Sequence, residues 1–271
     1  MPCFICVQCG TQYPDSASPP QSCPVCVDQR QYVRWAGQAW TTLEELQRTH
    51  KVRWEMDDGV IGIGVEPHFG IGQRALLHQS SHGNILWDCV SLVTNDLVAR
   101  IKALGGVSAI AISHPHYYTT MNEWSEALGA PIYIHEAERS WVRRPSSSIT
   151  FWSGETLALN PDATLIRCGG HYDGAQVMHV KSGAGGAGAV YSGDVIQVMI
   201  DRAWVSFMWS FPNYVPLGPK AIRKIEEAMA PFAFERIHGA FWNRNVTSGG
   251  KQALARSIAR YLAAIRDEYP D

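Results

Sequence analysis

An apolar run that leads into two histidines is the feature that most constrains this chain. The run from Val107 to Ile112 is typical of a buried strand, and His114 and His116 follow it closely. Because residues i and i+2 of an extended chain point to the same side, both imidazoles are predicted to converge just past the strand. Neutral imidazole is a common protein ligand for zinc and iron. The pattern therefore predicts a metal site at this strand end, the alternative being a surface loop that happens to hold two histidines.

Three further apolar strands are predicted to end on residues that can bind a metal. His171 follows one strand in a glycine-rich turn, Asp194 ends a second strand, and His238 ends a third. The ends of neighbouring strands gather at one rim of a sheet, where binding sites usually form. Any one of these residues alone is more often structural. The repetition of the pattern predicts that they share one site.

The order His-x-His, Gly-His, Gly-Asp and His resembles the metallo-β-lactamase superfamily over about residues 55 to 271. The resemblance implies an α/β (α+β) fold, an αβ/βα four-layer sandwich with a metal site at one edge. It implies a metal-dependent hydrolase. It also implies that the first metal is bound by three histidines, that an aspartate contacts or bridges the metals, and that another histidine serves the second metal. These residues are, in that order, His114, His116, His171, Asp194 and His238.

The chain departs from the superfamily motif at two positions. The motif is His-x-His-x-Asp-His, but Tyr118 stands at the aspartate position and Thr119 at the last histidine position. A phenol with a pKa of about 10 is a poor base and a reluctant ligand at neutral pH. Asp194 and His238 alone are too few ligands for a firmly held second ion. We therefore predict one ion, zinc or iron, with Asp194 and Tyr118 as catalytic candidates and His82 as a further ligand candidate.

Cysteines near the N-terminus form a CxxC-x13-CxxC pattern made of Cys6, Cys9, Cys23 and Cys26. Each CxxC can present two thiolates to one tetrahedral ion. The pattern predicts a zinc-ribbon or rubredoxin-like module at residues 1–36, in which zinc supplies the folding energy that so short a segment lacks. Cys3 forms an overlapping CxxC with Cys6, but Gly10 favours the Cys6/Cys9 register because a turn follows it. Two disulfides are the alternative, which a reducing compartment disfavours.

The rest of the chain mixes strands and helices, which predicts two mixed sheets covered by helices. Residues 37–54 are predicted to form a linker and a short helix, because Thr41-Thr42-Leu43-Glu44-Glu45 carries a capping-box signature. Residues 55–271 are predicted to form the metallo-β-lactamase-like domain. The glycine-rich run at 182–188 lacks a phosphate-loop motif and is interpreted as a hairpin loop. The predicted helices of this domain are Ser91–Leu104, Asn122–Leu128, Glu136–Val142, Pro219–Met229 and Thr247–Glu268.

Composition narrows the classes of partner and compartment. The 271 residues are 46% hydrophobic with a formal net charge of -2, so a large core is expected and a basic surface for nucleic acid is not. We find no apolar stretch of membrane-span length and no signal-peptide pattern. Five of the seven cysteines fall within the first 26 residues, which favours a metal site in a reducing cytoplasm. We expect a small-molecule substrate, no nucleic-acid or membrane partner, and leave a homo-oligomer open.

Three functions fit this sequence. A metal-dependent hydrolase is the first, in which the ion polarises a carbonyl or phosphoryl oxygen. The second is a mononuclear iron oxidoreductase of the same fold, with the N-terminal module carrying electrons. The third is a non-catalytic metal-binding scaffold in which the altered motif marks lost chemistry. The sequence does not name a substrate.

Overall fold

The computed structural model describes residues 1–268, in two compact units that divide between Trp152 and Ser153. Each unit combines strands with helices, so the fold is mixed α/β with several sheets, as predicted. The finer division at residues 36 and 54 remains a prediction. Within residues 1–268, no helix has both the length and the apolar composition needed to cross a bilayer.

The first unit contains a three-stranded sheet at the N-terminus and a seven-stranded sheet. Its strands are β1 (Cys3–Cys6), β2 (Gln12–Asp15), β3 (Trp40–Thr41), β4 (Lys51–Asp57), β5 (Val60–Glu66), β6 (Ala75–His78), β7 (Ile85–Trp87), β8 (Ala109–Ala111), β9 (Ile132–His135) and β10 (Ile149–Trp152). Its α-helices are α1 (Pro24–Val27), α2 (Leu43–Thr49), α3 (Asn95–Ala103) and α4 (Met121–Leu128), and its 3-10 turns are Pro115–Tyr117 and Glu136–Trp141.

The seven-stranded sheet has the order β10-β9-β8-β7-β6-β5-β4. Strands β7 to β10 are parallel neighbours, whereas β4, β5 and β6 pair antiparallel as consecutive hairpins. Parallel strands finish at the same edge of a sheet. Asp88, directly after β7, and His114, shortly after β8, are therefore brought to one edge.

Two helices in this unit start where a threonine caps them. The Thr42 hydroxyl accepts a hydrogen bond from the Glu45 amide at 3.2 Å, so the predicted cap of α2 is confirmed. Helix α3 begins at Asn95 and not at Ser91, because Thr94 accepts from the Leu97 amide at 3.2 Å. The predicted helix 136–142 is instead the 3-10 turn Glu136–Trp141, and the His135 ring accepts a hydrogen bond from the Ala137 amide at its start.

Strand β1 contributes to two separate buried clusters. Ile5 packs with Leu46, Phe69 and Leu92. Its neighbour Cys6 lies in a second cluster that contains the other three motif cysteines, with tryptophan side chains against it. Because successive side chains of a strand point to opposite faces, one short strand serves both clusters.

The second unit contains a six-stranded sheet and two small hairpins. Its strands are β11 (Thr156–Ala158), β12 (Ala163–Arg167), β13 (Gln176–Val180), β14 (Ala189–Tyr191), β15 (Gln197–Val198), β16 (Val205–Ser206), β17 (Met208–Ser210), β18 (Val215–Pro216), β19 (Arg236–His238) and β20 (Asn245–Val246). Its helices are α5 (Gly183–Gly186), α6 (Pro219–Met229) and α7 (Gly250–Ile265).

The six-stranded sheet has the order β11-β12-β13-β14-β19-β20. Strand β13 is antiparallel to both β12 and β14, and β19 is parallel to β14, so β12, β14 and β19 run in one direction. Helix α6 begins with Pro219, as predicted, and buries Ile222, Ile225 and Met229 at helical spacing. Helix α7 starts at Gly250 rather than Thr247, because Gly249 has the left-handed φ of 64° that a helix interior excludes.

Candidate metal centres

The four motif cysteines come together in the first unit as a buried cluster, which we call the four-cysteine site. The Sγ atoms of Cys6 and Cys26 are 3.6 Å apart, and those of Cys9 and Cys23 are also 3.6 Å apart. All four sulfurs lie within 4.8 Å of one another. A tetrahedral zinc with Zn–S bonds of about 2.3 Å separates its sulfurs by about 3.8 Å, so the spacing fits one ion. All seven cysteines are unbridged, which excludes the two-disulfide alternative.

Three side chains donate or can donate hydrogen bonds to these sulfurs. The Tyr13 hydroxyl donates to Cys23 Sγ at 3.1 Å, and the Gln38 amide donates to Cys6 Sγ at 3.2 Å. The Thr11 hydroxyl lies 3.3 Å from Cys9 Sγ and becomes a donor when that sulfur is ionised. Hydrogen bonds to the charged form of a ligand stabilise it. The surroundings of the site are therefore built for thiolates.

The electrostatics of the four-cysteine site favour a bound cation over four free thiolates. Burial raises the pKa of the Cys9 thiol well above its usual range. Hydrogen bonds from the Cys23 and Cys26 thiols lower the pKa of Cys6. Burial and the nearby sulfur charge raise the pKa of Tyr13, which therefore remains a donor. Four thiolates at this spacing repel one another strongly, and an ion that binds all four removes the repulsion.

His114 is held in a defined tautomer by its neighbours in the first unit. Asp88 accepts hydrogen bonds from the Ser113 amide at 2.7 Å and from the Ser113 hydroxyl at 3.1 Å. The Ser113 hydroxyl proton is thus committed to Asp88, and its oxygen accepts from Nδ1 of His114 at 2.9 Å. The proton of His114 therefore sits on Nδ1 and its lone pair on Nε2, the state that binds a metal.

The two motif histidines converge by a different route from the predicted one. Their ring centroids are 4.9 Å apart, as a shared site requires. His114 is extended, with φ -171° and ψ 175°, but His116 lies in the 3-10 turn that begins at Pro115. The proline fixes its own φ and suits the first position of such a turn. Alternation along an extended strand is therefore not the cause of the convergence.

The Ser113 arrangement predicts a loss of metal affinity in Ser113→Ala. Without the hydroxyl, His114 loses the partner that sets its tautomer, and supporting contacts of this kind are worth about 10–100-fold in metal affinity. Titration with cobalt should reveal weaker binding at the site that His114 serves. Ser125→Ala is the matched control, because it removes another buried hydroxyl, one bonded at 2.6 Å to the Ala130 carbonyl. Equal affinity in both variants would contradict this role for Ser113.

The second unit carries three candidate ligands at one edge of its sheet. His171, Asp194 and His238 follow or end strands β12, β14 and β19, which run in one direction. All three are at most 5% exposed. Nδ1 of His171 lies 3.2 Å from the Met208 carbonyl, which can only accept a hydrogen bond. The proton is therefore on Nδ1, and Nε2 carries the lone pair of His171.

The aromatic residues after Asp194 divide between the core and the neighbourhood of His171. Phe207 is fully buried and packs edge-on against Tyr261 at 5.7 Å. Phe211 instead lies beside the His171 ring, with centroids 5.8 Å apart. Tyr214 is 85% exposed. Of these three residues, Phe211 is the one whose ring contacts a candidate ligand.

The altered motif positions are both buried and face the N-terminal segment. Tyr118 and Thr119 line a cavity of about 10 Å³ together with Thr11 and Gln12. Thr119 adopts a positive φ of 35°, which is uncommon for a β-branched residue. His82 lies exposed in a turn and is not among the candidate metal ligands found in residues 1–268.

Two residues that support the candidate metal ligands, Ser113 and Gln73, were not predicted from the sequence. Ser113 adjoins His114, so its role as a tautomer-setting neighbour had a local signal in the sequence. Gln73 had none, because its partners Cys9 and His116 are 64 and 43 residues away along the chain.

Comparisons with known proteins agree with this architecture. No family model matches the chain. The uncharacterized protein YmaE of Bacillus subtilis (strain 168) is 43% identical over 271 residues, which cover 99% of this chain and 98% of YmaE. The structure of VMB-1 at pH 5.5 matches 80% of this chain and 98% of its own, with a TM-score of 0.57 and 15% identity.

Two further solved structures carry the name of the fold. The subclass B3 metallo-β-lactamase MEM-A1, from a soil metagenome library, matches 79% of this chain and 94% of its own, with a TM-score of 0.51 and 17% identity. A metallo-β-lactamase of Cronobacter sakazakii matches 79% of this chain and 92% of its own, at the same TM-score of 0.51 and 17% identity. The chain therefore belongs to the same family as YmaE and has the metallo-β-lactamase fold.

Proposed function

We propose that this protein is a metal-dependent hydrolase whose main site binds one ion through His114, His116 and His171, with Asp194 as the fourth ligand or a close neighbour of the ion. The observation that carries the proposal is that each unit buries candidate metal ligands, His114 and His116 in the first and His171 and Asp194 in the second. These ligands occur in a chain with a fold shared by proteins described as metallo-β-lactamases, which supports hydrolysis as the reaction. We propose zinc for the four-cysteine site and zinc or iron for the main site.

The chemistry of the donor set supports this assignment. Both His114 and His171 carry their ring proton on Nδ1, where a neighbouring oxygen accepts it, so Nε2 is the atom that presents a lone pair. Three protein ligands with one open position are typical of catalytic zinc sites. The carboxylate of Asp194 is the fourth ligand or a close neighbour of the ion. His238 then supports the site without binding a second ion.

The residues divide the work of hydrolysis. Held by the three histidines, a zinc or iron ion would polarise a carbonyl or phosphoryl oxygen and would make water a stronger acid. Asp194 accepts the proton that the attacking water loses, since no carboxylate stands at position 118 to take it. Tyr118 remains protonated at neutral pH and donates a hydrogen bond to the oxyanion that develops on the substrate.

Metal content tests the proposal before any substrate is known. Purified protein should contain about two ions per chain, one for each site. A panel of esters, thioesters, lactones and phosphoesters should then include a substrate whose hydrolysis stops when the main-site ion is chelated. Two well-occupied ions in the main site would contradict the proposal of a single ion.

The alternatives predict different results in the same measurements. Iron in both sites, with coloured protein, would favour an oxidoreductase. Stoichiometric metal with no turnover on any member of the panel would favour a non-catalytic scaffold. Either result would leave the metal ligands as proposed and overturn the hydrolytic reaction.

Tyr118→Phe tests the donor role directly. Removal of one hydrogen-bond donor to an oxyanion typically lowers turnover by about 10²–10³-fold. We expect that loss with unchanged metal content and unchanged unfolding. Unchanged turnover would mean that Tyr118 only fills space beside Thr11 and Gln12. Tyr118→Asp, which restores the superfamily carboxylate, is expected to raise the occupancy of a second ion beside His238.

A further inference from the structure

A hydrogen-bond bridge joins the four-cysteine site to the loop that carries the metal-binding histidines. The Gln73 side-chain amide donates to the Cys9 carbonyl at 2.8 Å and to the His116 carbonyl at 2.9 Å. Gln73 is only 6% exposed, so these bonds do not compete with bulk water. One amide group thus connects the backbone of a cysteine ligand to the backbone of a proposed main-site ligand. We refer to residues 114–119 as the motif loop.

A second link joins the same two regions. The backbone amide of Gln12 donates to the Thr119 carbonyl at 3.1 Å. Gly10, with φ 80°, leaves so little space that a Cβ there would lie 2.3 Å from Ser91 Oγ and 3.3 Å from the Thr119 methyl. The Ser91 hydroxyl in turn donates to the Gly10 carbonyl at 3.2 Å. The segment after the first CxxC therefore packs directly on the end of the motif loop.

The loop end is held in an unfavourable conformation. Thr119 has φ 35°, and backbone conformations of this kind persist only where the surrounding structure imposes them. The segment of residues 10–12 makes contacts that oppose its relaxation. A loosened four-cysteine site would thus allow Thr119 and the motif loop to relax.

The Gln73 side chain is itself held in place by other contacts, so it can fix the position of the two backbone segments to which it donates. Its Oε1 accepts from the Ile71 amide at 3.2 Å. The next residue, Arg74, is fully buried and forms an ion pair with Asp57 at the end of β4. The ion pair of Arg74 therefore anchors the Gln73 bridge to the seven-stranded sheet.

We propose that the metal-loaded four-cysteine site, acting through Gln73 and Gln12, holds His116 in its ligand position and makes metal binding at the two sites cooperative. The proposal rests on the main site of the proposed function. Metal affinity depends on the groups that orient each ligand. Coupling between two sites is reciprocal, and factors of about 5–150 are typical. Gln73 is a positioning residue in this scheme, since it contacts ligand backbones and not the ion.

Gln73→Leu tests the coupling, because leucine keeps much of the side-chain volume but has no donor. We expect the ion of the four-cysteine site to remain, cobalt affinity at the main site to fall at least about tenfold, and amide hydrogen exchange over residues 114–121 to accelerate. Thiolate-bound cobalt has a charge-transfer band that a histidine site lacks, so the two sites are followed separately. Gln47→Leu is a control for the loss of a glutamine donor outside the bridge, since Gln47 is exposed and donates to the Val93 carbonyl at 2.7 Å.

A double-mutant cycle identifies the route. Cys23→Ser, which weakens the four-cysteine site, should also lower cobalt affinity at the main site, and combining it with Gln73→Leu should add little further loss. Full additivity would place the effect outside the bridge and overturn the proposal. Wild-type cobalt affinity and exchange in Gln73→Leu would overturn it as well, with the hydrolase proposal intact.

Failure of the main site itself has a separate signature. If the wild-type main site binds no cobalt, the proposed function fails, and hydrogen exchange of the motif loop still decides the coupling. Exchange that stays unchanged in both Gln73→Leu and Cys23→Ser would then show that the four-cysteine site does not hold the loop.

Discussion

Cys23→Ser is expected to empty the four-cysteine site and to destabilise the first unit. The cluster around the four sulfurs is small and contains few side chains besides the ligands, chiefly Tyr13 and Val25 with Trp40 and Trp141 against it. In a cluster of this size the ion supplies much of the cohesion. Apparent binding free energies of structural zinc in small peptides are about 10–16 kcal/mol. Loss of one thiolate, which also removes the acceptor of the Tyr13 hydroxyl, should therefore cost several kcal/mol.

Metal content by mass spectrometry and urea unfolding followed by tryptophan fluorescence measure this effect. The expected result is one ion fewer per chain and a lower midpoint of unfolding. Cys3→Ser is the control, because Cys3 lies in β1 but outside the four-cysteine site. A Cys23→Ser protein that keeps its full metal content would exclude this cysteine as a ligand, and metal loss in Cys3→Ser would shift the register.

His116→Ala is expected to remove the main-site ion and, with it, hydrolysis. His116 is 2% exposed and lies beside His114, so no solvent-exposed group can easily replace it as a ligand. The loss of affinity should exceed the about 10–100-fold that follows removal of a mere supporting partner. The ion of the four-cysteine site should remain, because the substitution leaves the His116 carbonyl, the acceptor of the Gln73 amide, in place.

Equilibrium dialysis against zinc, with the ion of the four-cysteine site as an internal standard, measures the loss. His82→Ala provides the comparison, since His82 is exposed and lies in a turn. The ligand assignment is wrong if His116→Ala retains the main-site ion, or if His82→Ala loses it.

Much of the fold could be predicted because its signals are local. Helix α6 (Pro219–Met229) has the predicted bounds, and α2 begins at a threonine cap within the stretch that carries the capping-box signature. Apolar periodicity and capping residues act over a few positions, so the sequence displays them directly. Strand β4 (Lys51–Asp57) was not predicted, because its pattern of exposed and half-buried residues lacks a clear alternation.

The candidate ligands could be predicted from strand ends, whereas their supports could not. His114 and His171 each follow an apolar run, but the contacts that set their tautomers depend on tertiary structure. Met208 lies 37 residues beyond His171, and Asp88 lies 25 residues before Ser113. The turn at Pro115 also replaced the extended geometry that the histidine spacing indicated. Such features follow from which segments pack together, and single-sequence patterns do not report that.

The two-faced strand β1 has a consequence for the order of events during synthesis. The cysteines can bind their ion once Cys26 has left the ribosome, but Ile5 has its full set of partners only after Leu92 has emerged. At about 5–20 residues per second, several seconds separate the two events. During that time the apolar face of β1 is exposed to water beside a segment that can already hold its metal ion. If translation pauses between these points, the nascent chain can hold its metal ion but still exposes an apolar strand face, which chaperones can bind.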